Sequence, residues 1–210
     1  MTDDGAHKDL VVLVADKNME HAVRGILDRS ESLGTRPILA DLFVHLHNDP
    51  GCLREGHEFL RLFINRYHYA IVMLDREGCG QKELSREELE QQIEGRLSQK
   101  GWSERAAAIV LDPELEIWVW SDSPKVDNAL GWSGRTPDLR NWLREQELLE
   151  DNEQKPACPK EALERALRLV RKPSSSSIYM QLAKTVSLRR CNDLAFTKFK
   201  NTLKTWFPAS

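Results

Sequence analysis

Four short apolar runs, each followed by a segment of different periodicity, constrain the fold of this chain more than any other feature. In these runs, most residues that would face either side of a strand are apolar, which is typical of strands buried on both faces of a parallel sheet. The succession of strand and helix predicts an α/β fold, an open parallel sheet of about four strands with helices on both faces. The runs are LVVLVA (10–15), RPILADLFVH (36–45), YAIVMLD (69–75) and AAAIVLD (106–112).

The segments between the runs have the apolar spacing of helices. Met19, Val23 and Ile26 recur at helical intervals after the first run, and Gly34 is placed to end that helix. We expect further helices in segments 55–68 and 85–101, and a turn at HNDPGC (47–52).

The segment after the fourth run is ambiguous. Asp112 followed by Pro113 is a favourable N-cap and first helical position, so we predict that a helix begins here. The following LEIWVW (115–120) also alternates as a fifth strand would. Residues 136–150 begin with Thr-Pro-Asp and have a helical pattern.

A polar segment with two prolines, residues 151–159, predicts a linker between two domains. We expect an α/β domain in residues 1–150 and a C-terminal subdomain of three helices in residues 160–210. The C-terminal subdomain holds 11 Lys and Arg residues against 3 Asp and Glu, whereas the rest of the chain holds 19 against 30. This asymmetry indicates either attraction between the two parts or a surface that binds a phosphate backbone.

Carboxylates are concentrated where the predicted strands end. Ligands of open parallel sheets bind at the carboxyl ends of the strands, and residues four apart on a helix share a face. The residues that follow the first, third and fourth strands are therefore expected to meet at one edge. They are Asp16, Glu20, Asp75, Glu77, Glu114 and Glu116.

Carboxylates brought together repel one another, and a divalent cation removes that conflict. Hard oxygen ligands suit Mg²⁺ or Mn²⁺ better than Zn²⁺, and two such ions can clamp the attacking and leaving oxygens of a phosphoryl transfer. Each acid also has a structural alternative. Asp16 and Asp112 fit helix N-caps, and Glu114 and Glu116 fit acids that complement a helix dipole.

Other residues near these strand ends extend the candidate site. Gly78 and Gly80 would let a phosphate approach the backbone after the third strand, and His45 is placed to touch substrate. His45, His47 and Cys52 are also soft metal ligands, but no second cluster completes a tetrahedral zinc site.

Three motifs resemble those of Toprim-like domains, the fold shared by topoisomerase and primase catalytic domains and by overcoming-lysogenisation-defect nucleases. Small bacterial Toprim-like proteins carry Val-Glu-Gly-x-Thr-Glu after the first strand, an acidic D-x-D-type pair after the third, and Pro-Glu-x-Glu-x-Trp. Here ADKNME (15–20), DREG (75–78) and DPELEIWVW (112–120) stand in those places. The chain is also similar, over nearly its full length, to a component of methylation-associated bacterial defence systems.

The resemblance implies a Toprim/Rossmann-like sheet and a Mg²⁺-dependent (or Mn²⁺-dependent) nuclease or phosphoryl-transfer protein in anti-phage defence. Asp16 or Glu20 would be the general acid/base, Lys17 would steady a phosphate, and Asp75, Glu77 and Glu116 would hold the metal. Partners would be nucleic acid and other defence proteins.

The chain departs from the family pattern in three places, where Asp16 replaces glutamate, Lys17 replaces glycine and Glu77 replaces aspartate. The shorter acid at position 16 leaves a second interpretation open, a non-catalytic metal-binding sensor or adaptor subunit.

The cysteines and the N-terminus bear on location. Four cysteines lie far apart without a C-x-x-C pair, and no apolar segment approaches the length of a membrane span. The N-terminus lacks the cationic start followed by an apolar core that a secretory signal would have. We therefore expect a cytoplasmic protein with reduced thiols and no membrane partner.

Overall fold

A computed structural model describes residues 7–209 and confirms the α/β fold. All strand pairs in the sheet are parallel, and the order across it is β2-β1-β3-β4. The β1 and β3 strands are central and almost fully buried, which explains their continuous apolar sequences. The strands are β1 (Lys8–Val14), β2 (Ala40–Val44), β3 (Tyr67–Asp75) and β4 (Ala106–Leu111).

The helices follow the strands in the alternation that the sequence predicts. Two short irregular turns interrupt the pattern, a π-helical turn at Ser98–Trp102 and a 3-10 helix at Leu115–Trp118. The α-helices among the described residues are α1 (Lys17–Leu27), α2 (Ser30–Leu33), α3 (Asn48–Arg61), α4 (Arg86–Leu97), α5 (Pro124–Leu130), α6 (Leu139–Glu145), α7 (Pro159–Leu169), α8 (Ser176–Thr185) and α9 (Leu194–Trp206).

The strand order creates a switch point between β1 and β3. The chain leaves β1 toward β2 through α1, and then crosses back over β1 to reach β3 through α3. Because parallel crossovers are right-handed, α1 lies on one face of the sheet and α3 and α4 lie on the other. The loops after β1 and β3 diverge to opposite faces, and this leaves a crevice at their carboxyl ends.

The C-terminal helices complete the core of the sheet. Helix α8 packs along α1, α9 packs on β4, and α7 contacts the 3-10 helix. The side chains of Phe199, Leu203 and Phe207 are fully buried in the same hydrophobic cluster as the strands. The boundary at residues 151–159 stays a prediction, and the helices after it share their core with the sheet.

A close helix contact joins these two parts of the chain. A Cβ atom at Gly25 of α1 would lie 2.8 Å from the Cβ atom of Ala183 in α8. Glycine at this position therefore lets the α1 and α8 backbones approach each other.

Several local predictions were wrong. The helix expected in segment 55–68 ends at Arg61, since Tyr67 and His68 belong to β3. Gly34 ends α2 instead of α1.

The segment HNDPGC forms the first turn of α3, because Asn48 adopts a left-handed conformation (φ 47°) that redirects the chain straight into the helix. Asp112 does not cap a helix, since its carboxylate accepts a 2.9 Å hydrogen bond from Arg76 and the next helical turn begins only after Glu114. This segment forms a short 3-10 helix. The prediction of a helix here, in preference to a fifth strand, is therefore confirmed.

Within residues 7–209, the longest helix, α3, has 14 residues, and none has the length and apolar character that a membrane crossing requires.

Candidate metal centre at the carboxyl edge of the sheet

Strands β1 and β3 place Asp16 and Asp75 side by side. Val14 pairs with Met73 in the sheet, so both aspartates lie two residues beyond the same register position. Asp75 is the last residue of β3, and Asp16 is the N-cap of α1. The two carboxylates thus reach the crevice from adjacent strands, as the sequence predicted from the strand ends.

Asp75 is the most strongly perturbed acid of the group. Its Oδ1 accepts a 2.9 Å hydrogen bond from the backbone N–H of Leu115, and none of the cations in the described residues pairs with it directly. Burial holds the pKa of Asp75 well above its usual range, and the like charges of Asp49, Glu116 and Asp16 add to the rise. A carboxylate in these surroundings needs a proton or a cation.

Asp49 belongs to this cluster, although it is not among the acids that follow the predicted strands. Its Oδ1 accepts a 2.8 Å hydrogen bond from the backbone N–H of Asp75, and its side chain packs against Gly78. Burial raises the pKa of Asp49 despite that hydrogen bond, and the charge of Asp16 contributes to the rise. The sequence signal for Asp49 is the Asp-Pro pair at the start of α3, but the same pair is also typical of a turn.

Glu114 and Glu116 come from the 3-10 helix and reach the same crevice. Glu116 is buried and accepts a hydrogen bond from the hydroxyl of Tyr179 in α8. Glu114 accepts a 3.0 Å hydrogen bond from the backbone N–H of Lys160, and burial raises its pKa, with a further contribution from Glu116. Neither residue serves only the helix dipole, because both accept hydrogen bonds from the C-terminal helices.

Glu20 and Lys17 are placed differently from the prediction. Glu20 is bound at 2.6 Å by Lys17 and at 2.9 Å by Arg24, its neighbours on the same helix. Burial would raise the pKa of Glu20, but these two hydrogen-bonded cations lower it. Glu20 is therefore already neutralised, and the ammonium of Lys17 is engaged with it. Asp16 and Glu20 share one helix but have different partners.

Glu77 lies at the exposed rim of the cluster. Its carboxylate is 3.5 Å from the ammonium of Lys82, and its charge acts on Glu114. Close packing and backbone conformation explain why this loop has glycine at two positions. A Cβ atom at Gly78 would lie 2.5 Å from Oδ2 of Asp49, and Gly80 has φ 82°, which favours glycine.

The histidines form a second cluster beside the first. Atoms of His45, His47 and Glu55 that can bind a metal lie within 4.8 Å of one another, the only such group of three in residues 7–209. The closest distances are 3.8 Å and 3.4 Å from the two imidazoles to Glu55. Cys52 is fully buried and does not join them, and burial raises the pKa of its thiol.

A hydrogen bond explains this cluster without a metal. Nδ1 of His45 accepts a 3.1 Å hydrogen bond from the backbone N–H of His47, so the neutral ring carries its proton on Nε2. The Nε2–H group faces the carboxylate of Glu55, whereas a metal ion shared by the two residues would need a lone pair on Nε2. Burial also lowers the pKa of His45, which keeps the ring neutral. The arrangement closes the turn between β2 and α3.

The acidic cluster has the donor chemistry of a Mg²⁺ or Mn²⁺ site. All its ligand atoms are hard carboxylate oxygens, and burial, followed by the like charges of its neighbours, raises the pKa of Asp75. Its oxygens are spread more widely than those of the histidine cluster in the described structure. The members that the structure brings together are Asp16, Asp49, Asp75, Glu114 and Glu116.

Comparisons of the chain with models of protein families, with curated proteins and with solved structures found no match, so any assignment of function depends on the geometry of this site.

Proposed function

We propose that the protein is a Mg²⁺- or Mn²⁺-dependent phosphoryl-transfer protein, of the nuclease class, with its centre at the carboxyl ends of β1 and β3. The observation that carries the proposal is the environment of Asp75, a carboxylate surrounded by Asp49, Glu116 and Asp16 at a sheet switch point. Clusters of perturbed acids in such crevices are characteristic of functional sites.

Asp75, Asp49 and Glu116 would hold the metal, with Asp16 and Glu114 at its periphery. A bound divalent cation would supply Lewis-acid polarisation of a phosphoryl oxygen. The protein's own contribution is to hold these acids before the ion arrives. Backbone N–H groups fix Asp75 and Asp49, and the hydroxyl of Tyr179 fixes Glu116. Their oxygens would still have to draw closer together around an ion.

Nucleic acid is the substrate class that the charge distribution favours. Part of the positive charge of the C-terminal helices is used internally, since Lys198 contacts Glu90 and Glu94 and Lys184 contacts Asp28. Arg189 and Arg190 are exposed, and neither forms an ion pair within residues 7–209, so both can contact a phosphate backbone. A role in bacterial anti-phage defence, with other defence proteins as partners, is supported by the resemblance of the motifs alone.

Cleavage assays test the proposed activity. Supercoiled plasmid, single-stranded DNA and single-stranded RNA would be incubated with Mg²⁺ or Mn²⁺ and either the wild type or Asp75→Asn. We expect metal-dependent cleavage of at least one substrate by the wild type and a loss of at least about a hundredfold in the variant. Equal cleavage by both proteins would point to a contaminating nuclease and would refute the assignment.

A second candidate is a non-catalytic metal-binding sensor or adaptor, and one observation favours it. The carboxylate of Asp16 caps α1 through a 2.8 Å hydrogen bond from Met19, and Glu20 is neutralised by Lys17 and Arg24. Both predicted general acid/base residues are thus engaged in local structure. Metal binding without cleavage of any nucleic acid would establish this function in place of the first.

A further inference from the structure

The C-terminal helices contribute a lysine to the carboxylate crevice. Indole Nε1 of Trp120 donates a 2.9 Å hydrogen bond to the carbonyl of Pro159, the first residue of α7. One residue later, the backbone N–H of Lys160 donates to Glu114 Oε1 at 3.0 Å. These two hydrogen bonds hold the first turn of α7 against the 3-10 helix that supplies Glu114 and Glu116.

The side chain of Lys160 is exposed and lies in the field of the acidic cluster. Desolvation lowers the pKa of Lys160, but the carboxylates of Glu116, Glu114 and Asp75 outweigh it and raise the pKa above its usual value. In the described part of the chain, its ammonium has no carboxylate within 4.0 Å. Lys160 is near the acids without forming an ion pair with any of them.

Three other cations around the crevice are already paired with carboxylates. Lys17 binds Glu20 at 2.6 Å, Arg76 binds Asp112 at 2.9 Å, and Lys82 lies 3.5 Å from Glu77. Among these four side chains, Lys160 alone has no carboxylate within 4.0 Å in residues 7–209, so its ammonium is available to a ligand. An ammonium is a compact charge with three donors, well suited to a phosphate oxygen.

We propose that Lys160 is a substrate-binding residue, which contacts a non-bridging phosphate oxygen of a nucleic acid held at the carboxylate centre. This inference rests on the proposed function and deepens it, because it names the group that binds the anionic substrate next to the acidic ligands. A bound metal ion would neutralise the carboxylates, and the ammonium of Lys160 would then contact the phosphate. The C-terminal helices thereby form part of the site.

The test compares Lys160→Gln with Arg168→Gln, a matched control. Arg168 lies on the same helix, is exposed and carries the same charge, but it stands eight residues from Lys160 at the far end of α7. Binding of a fluorescein-labelled single-stranded DNA oligonucleotide would be measured by anisotropy with Ca²⁺, as a function of salt. Thermal melting with Mn²⁺ would be measured on the same samples.

We expect Lys160→Gln to weaken oligonucleotide binding about tenfold and to reduce the salt slope by about 0.7, the loss of one phosphate contact. Arg168→Gln should change the affinity by less than about twofold, and both variants should keep the Mn²⁺-induced rise in melting temperature. Equal losses in the two variants, no loss in Lys160→Gln, or no binding by the wild type would overturn the inference. Failure of the proposed function is seen separately, as the absence of a Mn²⁺ effect on the wild type.

Discussion

The backbone N–H of Asp75 donates a 2.8 Å hydrogen bond to the carboxylate of Asp49, which joins the end of β3 to the first turn of α3. The bond stabilises the loop, but it also holds two acids close together. Burial raises the pKa of both carboxyls, and each also feels the charge of Asp16. The crevice therefore concentrates negative charge, which lowers the stability of the metal-free protein. Such a loss of stability is expected at a functional site.

Replacement of Asp75 by asparagine should stabilise the metal-free protein. The amide oxygen can still accept the hydrogen bond from Leu115, while the repulsion from Asp49 and Glu116 disappears. We expect a gain of about 1 kcal/mol, or a rise in melting temperature of about 2–4 °C in EDTA at neutral pH. Asp122→Asn, at an exposed loop position, is the control and should have no effect. A lower melting temperature for Asp75→Asn would contradict this account.

The advantage of Asp75→Asn should depend on pH. A carboxyl whose pKa is raised in the folded state contributes its full stability below the unfolded value of about 3.9, and loses it as the pH rises through the folded pKa. The wild type and the variant should therefore melt together near pH 4, and their difference should grow toward pH 8. Thermal melting across this range in EDTA checks the prediction, and a difference that is largest in acid would have the wrong sign.

Two substitutions should separate the structural role of Asp49 from its role in metal binding. Asp49→Asn keeps an oxygen for the N–H of Asp75 and should retain at least the stability of the wild type, whereas Asp49→Ala leaves that N–H unpaired and should cost about 1–3 kcal/mol. Both variants should bind Mn²⁺ more weakly. Chemical denaturation and Mn²⁺ titration of the pair check this, and full Mn²⁺ affinity in Asp49→Asn would remove Asp49 from the site.

The hydroxyl of Tyr179 should matter for Glu116 rather than for packing. Tyr179→Phe removes the donor to a buried carboxylate and should cost about 1–3 kcal/mol, with weaker Mn²⁺ binding because Glu116 is less well positioned. Tyr69, which stacks on Trp206 through its ring, offers the control, since Tyr69→Phe keeps that contact. Equal effects of the two substitutions on Mn²⁺ affinity would show that Tyr179 does not position a ligand.

The sequence predicts the sheet well because its signals are local. Apolar runs and helical periodicity identify the four strands and the helices between them, and the strand ends identify Asp16, Asp75 and Glu116. The sequence does not identify Asp49 as a site residue, because the turn residues around it also begin a helix. Only the crossover from β2 to β3 brings Asp49 beside Asp75.

Side-chain rotamers and long-range contacts account for the remaining differences. The pairing of Glu20 with Lys17 and Arg24 depends on side-chain rotamers, which periodicity does not specify. Lys160 and Tyr179 reach the site because α7 contacts the 3-10 helix and α8 packs along α1, and these contacts join segments far apart in the sequence. Composition alone suggested only a basic tail.

The central claim is that a divalent cation binds at Asp75 and its neighbours, and Mn²⁺-dependent melting tests it most directly. Wild type, Asp75→Asn and His47→Gln would be melted at neutral pH over a Mn²⁺ titration. The account predicts a rise of several degrees for the wild type and for His47→Gln, and little or none for Asp75→Asn. A rise that survives in Asp75→Asn and disappears in His47→Gln would place the ion at His45, His47 and Glu55, and would contradict the account.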